Sequence, residues 1–305
     1  MHSQRHFSTK SASNRFGVAL PLKASLCALA MVLVKTESAT AGEQVTFETP
    51  PVQPSAFKVR RAAAKGITLE PTPGMTLSGI LSIPGGDGPH PTIILLPESI
   101  EARHSYVAWA EYLTANGFVT LIVESLVSRG ETHLRDDLPM NLLEDVQGAL
   151  SFLTALDEVD QHRIGLLGIG MSGWFVQRSL DVNFTRGAHD ISFYAGVVVY
   201  PHCNPDMELN APILVLAGGD DTRISLAACR ALIDLNKPSE PRTRLKVYPQ
   251  ATHFFDNTAY AKTPELRDEG WVEPGWFAQN HYDPEARADA EREVLDFLRS
   301  VGASD

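Results

Sequence analysis

The chain has 305 residues, of which 44% are hydrophobic and 21% charged, and this composition is typical of a globular protein. Its formal net charge is −11 at neutral pH. Binding to a phosphate backbone needs clustered Lys and Arg, which the sequence lacks, so we expect no nucleic-acid partner. No Cys or His pair has metal-ligand spacing, and we expect neither a metal nor a cofactor.

The first 41 residues have the pattern of a signal peptide. A basic lead precedes an apolar run from Ala24 to Val34, and Ala39-Thr40-Ala41 is a small-x-small cleavage site. The run is too short to span a bilayer. We therefore predict cleavage after Ala41, export to a periplasm or the medium, and no stable membrane insertion afterwards. A disordered basic leader and an organelle transit peptide are the alternatives.

After residue 41, apolar runs alternate with helical patterns. Residues 42–66 are predicted as a linker and an edge strand, and residues 67–305 as one domain. The predicted strands cover residues 76–84, 92–97, 118–125, 195–200, 212–217 and 244–249, and the predicted helices cover 104–116, 141–159, 225–235 and 284–301. Continuous Val, Ile and Leu strands separated by helices indicate an α/β fold with a mostly parallel central sheet and helices on both faces.

The segment RIGLLGIGMSGWFVQRSL, residues 163–180, predicts one more strand, a tight turn and a helix. This is the layout of a nucleophile elbow, G-x-nucleophile-x-G, in which the nucleophile occupies a strained turn. Gly168 and Ser172 supply the small residues on either side of Gly170. The position of the nucleophile is therefore glycine, and the nearest hydroxyl belongs to Ser172, two residues later.

Chemistry in a parallel sheet gathers at the carboxyl ends of the strands. Four segments of this sequence follow predicted strands: residues 97–99, the elbow, residues 218–221 and residues 251–256. The order elbow, acid, histidine is the order of the catalytic triad in α/β-hydrolases.

These segments resemble those of the dienelactone hydrolase family, from about Ile67 to the C-terminal helix. RIGLLGIGMSG is similar to the family's strand and G-x-(Cys/Ser)-x-G-G turn, and VESLVSRGET to the D-S-F-x-x-R-G of a family subgroup. LVLAGGDDTRIS resembles the acid segment and places the triad acid on Asp221, with Asp220 as the alternative. VYPQATHFFDN matches Y-P-x-A-x-H-x-F-D and places the triad histidine on His253.

The resemblance implies an α/β-hydrolase fold and hydrolysis of a small-molecule ester or lactone. In the implied mechanism Ser172 attacks the carbonyl, His253 takes its proton and Asp221 orients the imidazole. The predicted oxyanion and pocket residues are Met171, Gly173, Glu98 and Ser99.

The elbow leaves three alternatives open. If Ser172 were the nucleophile, Trp174 would stand at a position where the elbow needs a small residue. Trp174 is otherwise predicted as a core residue. In the other alignment the Ser172 hydroxyl points into the strand–helix contact, and His253 with Asp221 activates water over the gap left by Gly170. The third alternative is a binding protein with a hydrolase fold and no catalysis. The sequence does not indicate an oligomeric state.

Three cysteines are present, and Cys27 lies in the predicted signal peptide. Cys203 follows a predicted strand and Cys229 lies early in a predicted helix. The two could pair in an oxidising compartment, or remain as free thiols.

Overall fold

The computed structural model describes residues 42–100, 102–132, 134, 142–184, 192–240, 242–261 and 281–303. The predicted signal peptide lies outside these residues. The strands are β1 Glu43–Glu48, β2 Thr76–Ser82, β3 His90–Leu96, β4 Val119–Val123, β5 Val159–Ile169, β6 Gly196–Val199, β7 Ile213–Gly218 and β8 Arg244–Tyr248. The helices are α1 Ala56–Ala63, α2 Arg103–Ala115, α3 Leu142–Leu153, α4 Ser172–Ser179, α5 Leu226–Asn236 and α6 Pro284–Gly302, with 3₁₀ turns at Val127–Arg129 and Thr258–Ala261.

The strands form one sheet in the order β1-β2-β4-β3-β5-β6-β7-β8. The pairs β1–β2 and β2–β4 are antiparallel, and the pairs from β4 through β8 are parallel. The predicted α/β fold with a mostly parallel sheet is confirmed.

The continuous apolar strands are explained by burial on both faces of the sheet. In β3, Ile93 and Leu95 pack into a core with α2 and α6, whereas Ile94 and Leu96 pack into a second core with α3, α4 and α5. Successive side chains of a strand point to opposite faces, so a strand covered on both sides needs an apolar residue at every position.

Two sequence-based boundaries differ from the structure. The segment predicted as linker and edge strand contains α1, whose first turn is capped by the Ser55 hydroxyl accepting from the Lys58 amide. This helix was not predicted, because it has only eight residues and buries none of them. The helix predicted over 141–159 ends at Leu153. There the Thr154 hydroxyl donates to the Leu150 carbonyl, and i to i+3 bonds turn the chain into β5.

Within the described ranges, no helix is long and apolar enough to cross a membrane. The carboxyl ends of β3, β5, β7 and β8 lie on one edge of the sheet because these strands are parallel neighbours or near neighbours. This edge brings together the loops that contain Glu98, Gly170, Asp221 and His253.

Candidate active site

The elbow turn is centred on Gly170, which has a φ of +60°. This left-handed conformation is unfavourable for residues with a side chain, and nucleophile elbows hold their central residue under this kind of strain. Gly168 lies where β5 and α4 cross, and a Cβ built on it would be 2.8 Å from Val176 Cγ2 and 2.9 Å from the Gly173 nitrogen. The backbone therefore has the conformation of a nucleophile elbow, with glycine at its centre.

The Ser172 hydroxyl is engaged with the backbone of the preceding strand. Its Oγ accepts from the Ile169 amide at 2.9 Å and donates to the Ile169 carbonyl at 2.9 Å. The residue is fully buried, and the Tyr106 hydroxyl lies 3.3 Å from the same oxygen. Ser172 thus closes the turn between β5 and α4, and its hydroxyl is engaged by Ile169 and Tyr106.

The space in front of Gly170 is filled by the carboxylate of Glu98. A Cβ built on Gly170 would lie 2.0 Å from Glu98 Oε2 and 2.7 Å from Oε1. The Met171 amide, which follows the central residue of the elbow, donates to Glu98 Oε2 at 2.7 Å. In α/β-hydrolases the amide at this position forms part of the oxyanion hole. A carboxylate from the loop after β3 therefore occupies the nucleophile position and contacts the oxyanion donor.

The other predicted oxyanion residues have structural contacts. The Gly173 amide donates to the Gly170 carbonyl at 3.1 Å in the first turn of α4, so this amide is already paired. The Ser99 hydroxyl accepts from the Ala102 amide at 3.1 Å at the start of α2. Of these residues, Met171 is the one whose amide faces the gap at Gly170. Trp174 is 39% exposed and is not a core residue, because it follows the turn on the outer side of α4.

The predicted acid and histidine are in contact. His253 Nδ1 lies 2.7 Å from Asp221 Oδ2, and the second carboxylate oxygen accepts from the Arg223 amide at 2.8 Å. Both side chains are almost fully buried. Asp220, the alternative acid, is exposed. An imidazole held in this way by a carboxylate has its Nδ1 bonded, which leaves Nε2 to act on a substrate or water.

Burial lowers the pKa of His253 below its ordinary 6.5. Asp221 opposes this shift through its hydrogen bond and charge, while Arg223 and His202 add to it. The imidazole is therefore neutral at neutral pH, which is the form required of a general base.

A buried carboxylate holds the loop that contains His253 in position. Asp256 accepts hydrogen bonds from the Tyr200 hydroxyl at 2.6 Å, Trp109 Nε1 at 2.8 Å and the Ser105 hydroxyl, and lies 3.4 Å from an Arg287 nitrogen. The Tyr200 ring is 4.4 Å from the His253 ring. Tyr200 and Phe254 have positive φ angles of 39° and 62°, strained conformations for residues with side chains. We infer that this network holds the loop in its strained form.

Some residues of the site were not predicted from the sequence. Tyr106 and Tyr200 have no motif, and they reach the site because α2 and β6 place them beside it. Asp256 belongs to the same segment as His253 and could have been singled out from that signal. Glu98 was predicted as a residue of the pocket, but its carboxylate was not predicted to fill the gap at Gly170, because this depends on the path of the loop after β3.

Cys203, in the loop after β6, and Cys229, in α5, form a disulfide. Within the ranges described above, no cluster of three or more His, Cys, Asp or Glu side chains is arranged to hold a metal ion.

The sequence pattern of the Dienelactone hydrolase family matches residues 77–302 of the chain. The chain belongs to the dienelactone hydrolase family. This family consists of carboxylic ester and lactone hydrolases of the α/β-hydrolase superfamily, and the resemblance inferred from the motifs is confirmed.

Three similar proteins are each less than 25% identical to this chain. A protein of Salmonella typhimurium named "Putative carboxymethylenebutenolidase" is 24% identical over 246 residues, which cover 72% of this chain and 88% of the relative. The crystal structure of a dienelactone hydrolase-like promiscuous phosphotriesterase from metagenomic libraries matches with a TM-score of 0.57 and 17% identity, covering 86% of this chain and 99% of the other. A Pyrococcus furiosus esterase matches with a TM-score of 0.55 and 15% identity, covering 85% and 92%. The structural likenesses support the fold.

Proposed function

We propose that this chain hydrolyses small carboxylic esters or lactones, with His253 as general base and Asp221 as the residue that orients it. The observation that supports the proposal best is the buried 2.7 Å contact between His253 Nδ1 and Asp221 beside a turn in the elbow conformation. A buried imidazole–carboxylate pair is costly to maintain, and activation of a hydroxyl or a water is the chemistry it performs in hydrolases.

Water is the proton donor that fits this site. No side chain projects from residue 170, and the Ser172 hydroxyl is bonded to the Ile169 backbone. We propose that His253 Nε2 takes a proton from water, and that Asp221 stabilises the imidazolium that forms. The resulting hydroxide completes the hydrolysis.

The proposal is tested by hydrolysis of phenyl acetate and dihydrocoumarin by the purified chain and by His253→Gln. We expect hydrolysis by the wild type and a loss of at least about 10²-fold in the variant, the lower range for removal of a general base. His162→Gln, an exposed substitution at the opposite end of β5, is the control and retains activity. Hydrolysis that survives His253→Gln unchanged contradicts the proposal.

A fluorophosphonate probe identifies the attacking group. Activated serine hydroxyls react with this probe, so a water-based site stays unlabelled. Labelling of the wild type that is lost in Ser172→Ala would instead support Ser172 as the nucleophile.

The second candidate function is ligand binding without catalysis. It is favoured by the bond between Glu98 and the Met171 amide, because a carboxylate on the oxyanion donor blocks its use by a substrate. This candidate predicts no turnover of any ester, and binding of small carbonyl compounds that His253→Gln does not weaken.

We also propose that the chain is exported. The disulfide between Cys203 and Cys229 supports export, because disulfides persist in oxidising compartments. Fractionation of the native host, with sequencing of the mature N-terminus, tests this proposal. We expect an N-terminus at Gly42 in the exported fraction, and an intact chain in the cytosol contradicts it.

A further inference from the structure

The structure assigns the role of the missing nucleophile to Glu98. We propose that the Glu98 carboxylate attacks the substrate carbonyl and forms a covalent intermediate, which water activated by His253 then hydrolyses. This inference rests on the proposed function, because it uses His253 for the second step.

The position of the carboxylate is the first argument. A Cβ built on Gly170 would lie 2.0 Å from Glu98 Oε2, 2.5 Å from the carboxyl carbon and 2.7 Å from Oε1. The carboxylate thus reaches the elbow from another loop, with one oxygen nearest to residue 170. Glu98 therefore occupies the volume that a side chain at the centre of the elbow would need.

The second argument is that Glu98 is held in this place at three points. Its backbone amide donates to the hydroxyl of fully buried Tyr106 at 3.0 Å, and its carbonyl accepts from the Leu134 amide at 2.8 Å. Its side chain accepts from the Met171 amide at 2.7 Å. A catalytic group fixed in this way loses little conformational entropy when the substrate binds.

The proposed reaction has two steps. In the first, a Glu98 carboxylate oxygen bonds to the acyl carbon, the bond from this carbon to the ester oxygen breaks, and the leaving oxyanion takes a proton from solvent. The product is a mixed anhydride of Glu98 and the acyl group. In the second, His253 takes a proton from water and the hydroxide adds to the Glu98 carbonyl carbon. The acyl carboxylate leaves, and the Glu98 carboxylic acid and the His253 imidazolium each lose one proton to solvent, which regenerates both groups.

The Met171 amide has a defined part in the second step. When hydroxide adds to the Glu98 carbonyl carbon, negative charge develops on the Glu98 oxygen that is the carbonyl oxygen of the anhydride. Oε2 already accepts a hydrogen bond from Met171, so the donor is in place where the charge forms. The contact that blocks a substrate oxyanion is thus suited to an oxyanion on Glu98 itself.

Glu98→Gln tests the assignment, because glutamine has the same shape and can still accept from the Met171 amide. We expect turnover of phenyl acetate to fall by at least about 10³-fold, as for removal of a nucleophile. The matched control is Glu111→Gln, on the exposed face of α2, which retains turnover. An active or more active Glu98→Gln overturns the assignment, because Glu98 would then be a dispensable or blocking group.

Isotope transfer provides a readout that a merely structural role would not produce. After many turnovers in water labelled with heavy oxygen, we expect the label in the wild-type peptide that contains Glu98, and none without substrate. An unlabelled Glu98 overturns the proposal. The two proposals fail separately, because loss of activity in His253→Gln together with full activity in Glu98→Gln leaves the proposed function intact.

Discussion

The two halves of the candidate site differ in how they are built. The half after β7 and β8 has the acid and the histidine in contact, both buried and supported by Asp256 and Tyr200. The half after β5 has the backbone of a nucleophile elbow but no side chain at its centre, and Glu98 from the loop after β3 fills the space. The difference teaches that the conformation of the elbow does not depend on the residue that it normally presents. The contact between His253 and Asp221, in contrast, requires specific side chains.

Asp221→Asn tests the half of the site that contains the acid and the histidine, and it has the largest expected effect. An asparagine in place of the aspartate favours the wrong imidazole tautomer, and we expect kcat for phenyl acetate to fall by about 10⁴-fold. Circular dichroism checks that the fold is retained. Asp220→Asn, on the exposed neighbour, retains kcat within a few-fold; equal losses in the two variants would contradict the assignment of the acid.

Gly170→Ser tests the half of the site in which Glu98 fills the space at the elbow. The new Cβ displaces the Glu98 carboxylate, and the left-handed conformation costs about 1–3 kcal/mol of stability. We expect the single variant to lose hydrolysis that depends on Glu98. Gly170→Ser combined with Glu98→Ala removes the clash, and this double variant should react with a fluorophosphonate at residue 170. An unlabelled, well-folded double variant would show that the elbow cannot present a nucleophile to His253.

Ser172→Ala is expected to change the stability of the protein rather than its activity. The substitution leaves the Ile169 amide without its side-chain partner and removes one contact of the Tyr106 hydroxyl, and we expect a loss of about 1–3 kcal/mol in the free energy of unfolding. We expect kcat to stay within a few-fold, measured on the same sample. Loss of turnover with unchanged stability would make Ser172 the nucleophile.

The pH profile gives the smallest expected effect. The value of kcat/KM should fall on acidification as His253 takes up a proton, with a midpoint below 6.5 because burial lowers this pKa. Arg223 and His202 lower the pKa further and Asp221 raises it. Arg223→Gln removes one cation, and we expect the midpoint to rise by a few tenths of a unit. An unchanged midpoint would show that Arg223 does not act on His253.

The fold could be predicted from the sequence because the central strands β3, β4, β6 and β7 are nearly continuous apolar runs and the main helices have an apolar stripe. α1 was not predicted, because it has only eight residues and buries none of them. In the site, Asp221 and His253 were predictable from local motifs. Glu98 was predicted as a pocket residue, but its contact with the elbow was not, because this depends on bonds to Tyr106, Met171 and Leu134 in three separate parts of the chain.

The hydrogen bonds of Asp256 have a consequence for the order of folding. Its partners Ser105, Trp109, Tyr200 and Arg287 are 151, 147, 56 and 31 residues away in sequence. Contacts of such long range form late, since the intervening loops must first be closed. The loop that holds His253 therefore reaches its final conformation only when α2, β6 and α6 have assembled around Asp256. Refolding experiments should accordingly recover hydrolysis no earlier than the full tertiary signal.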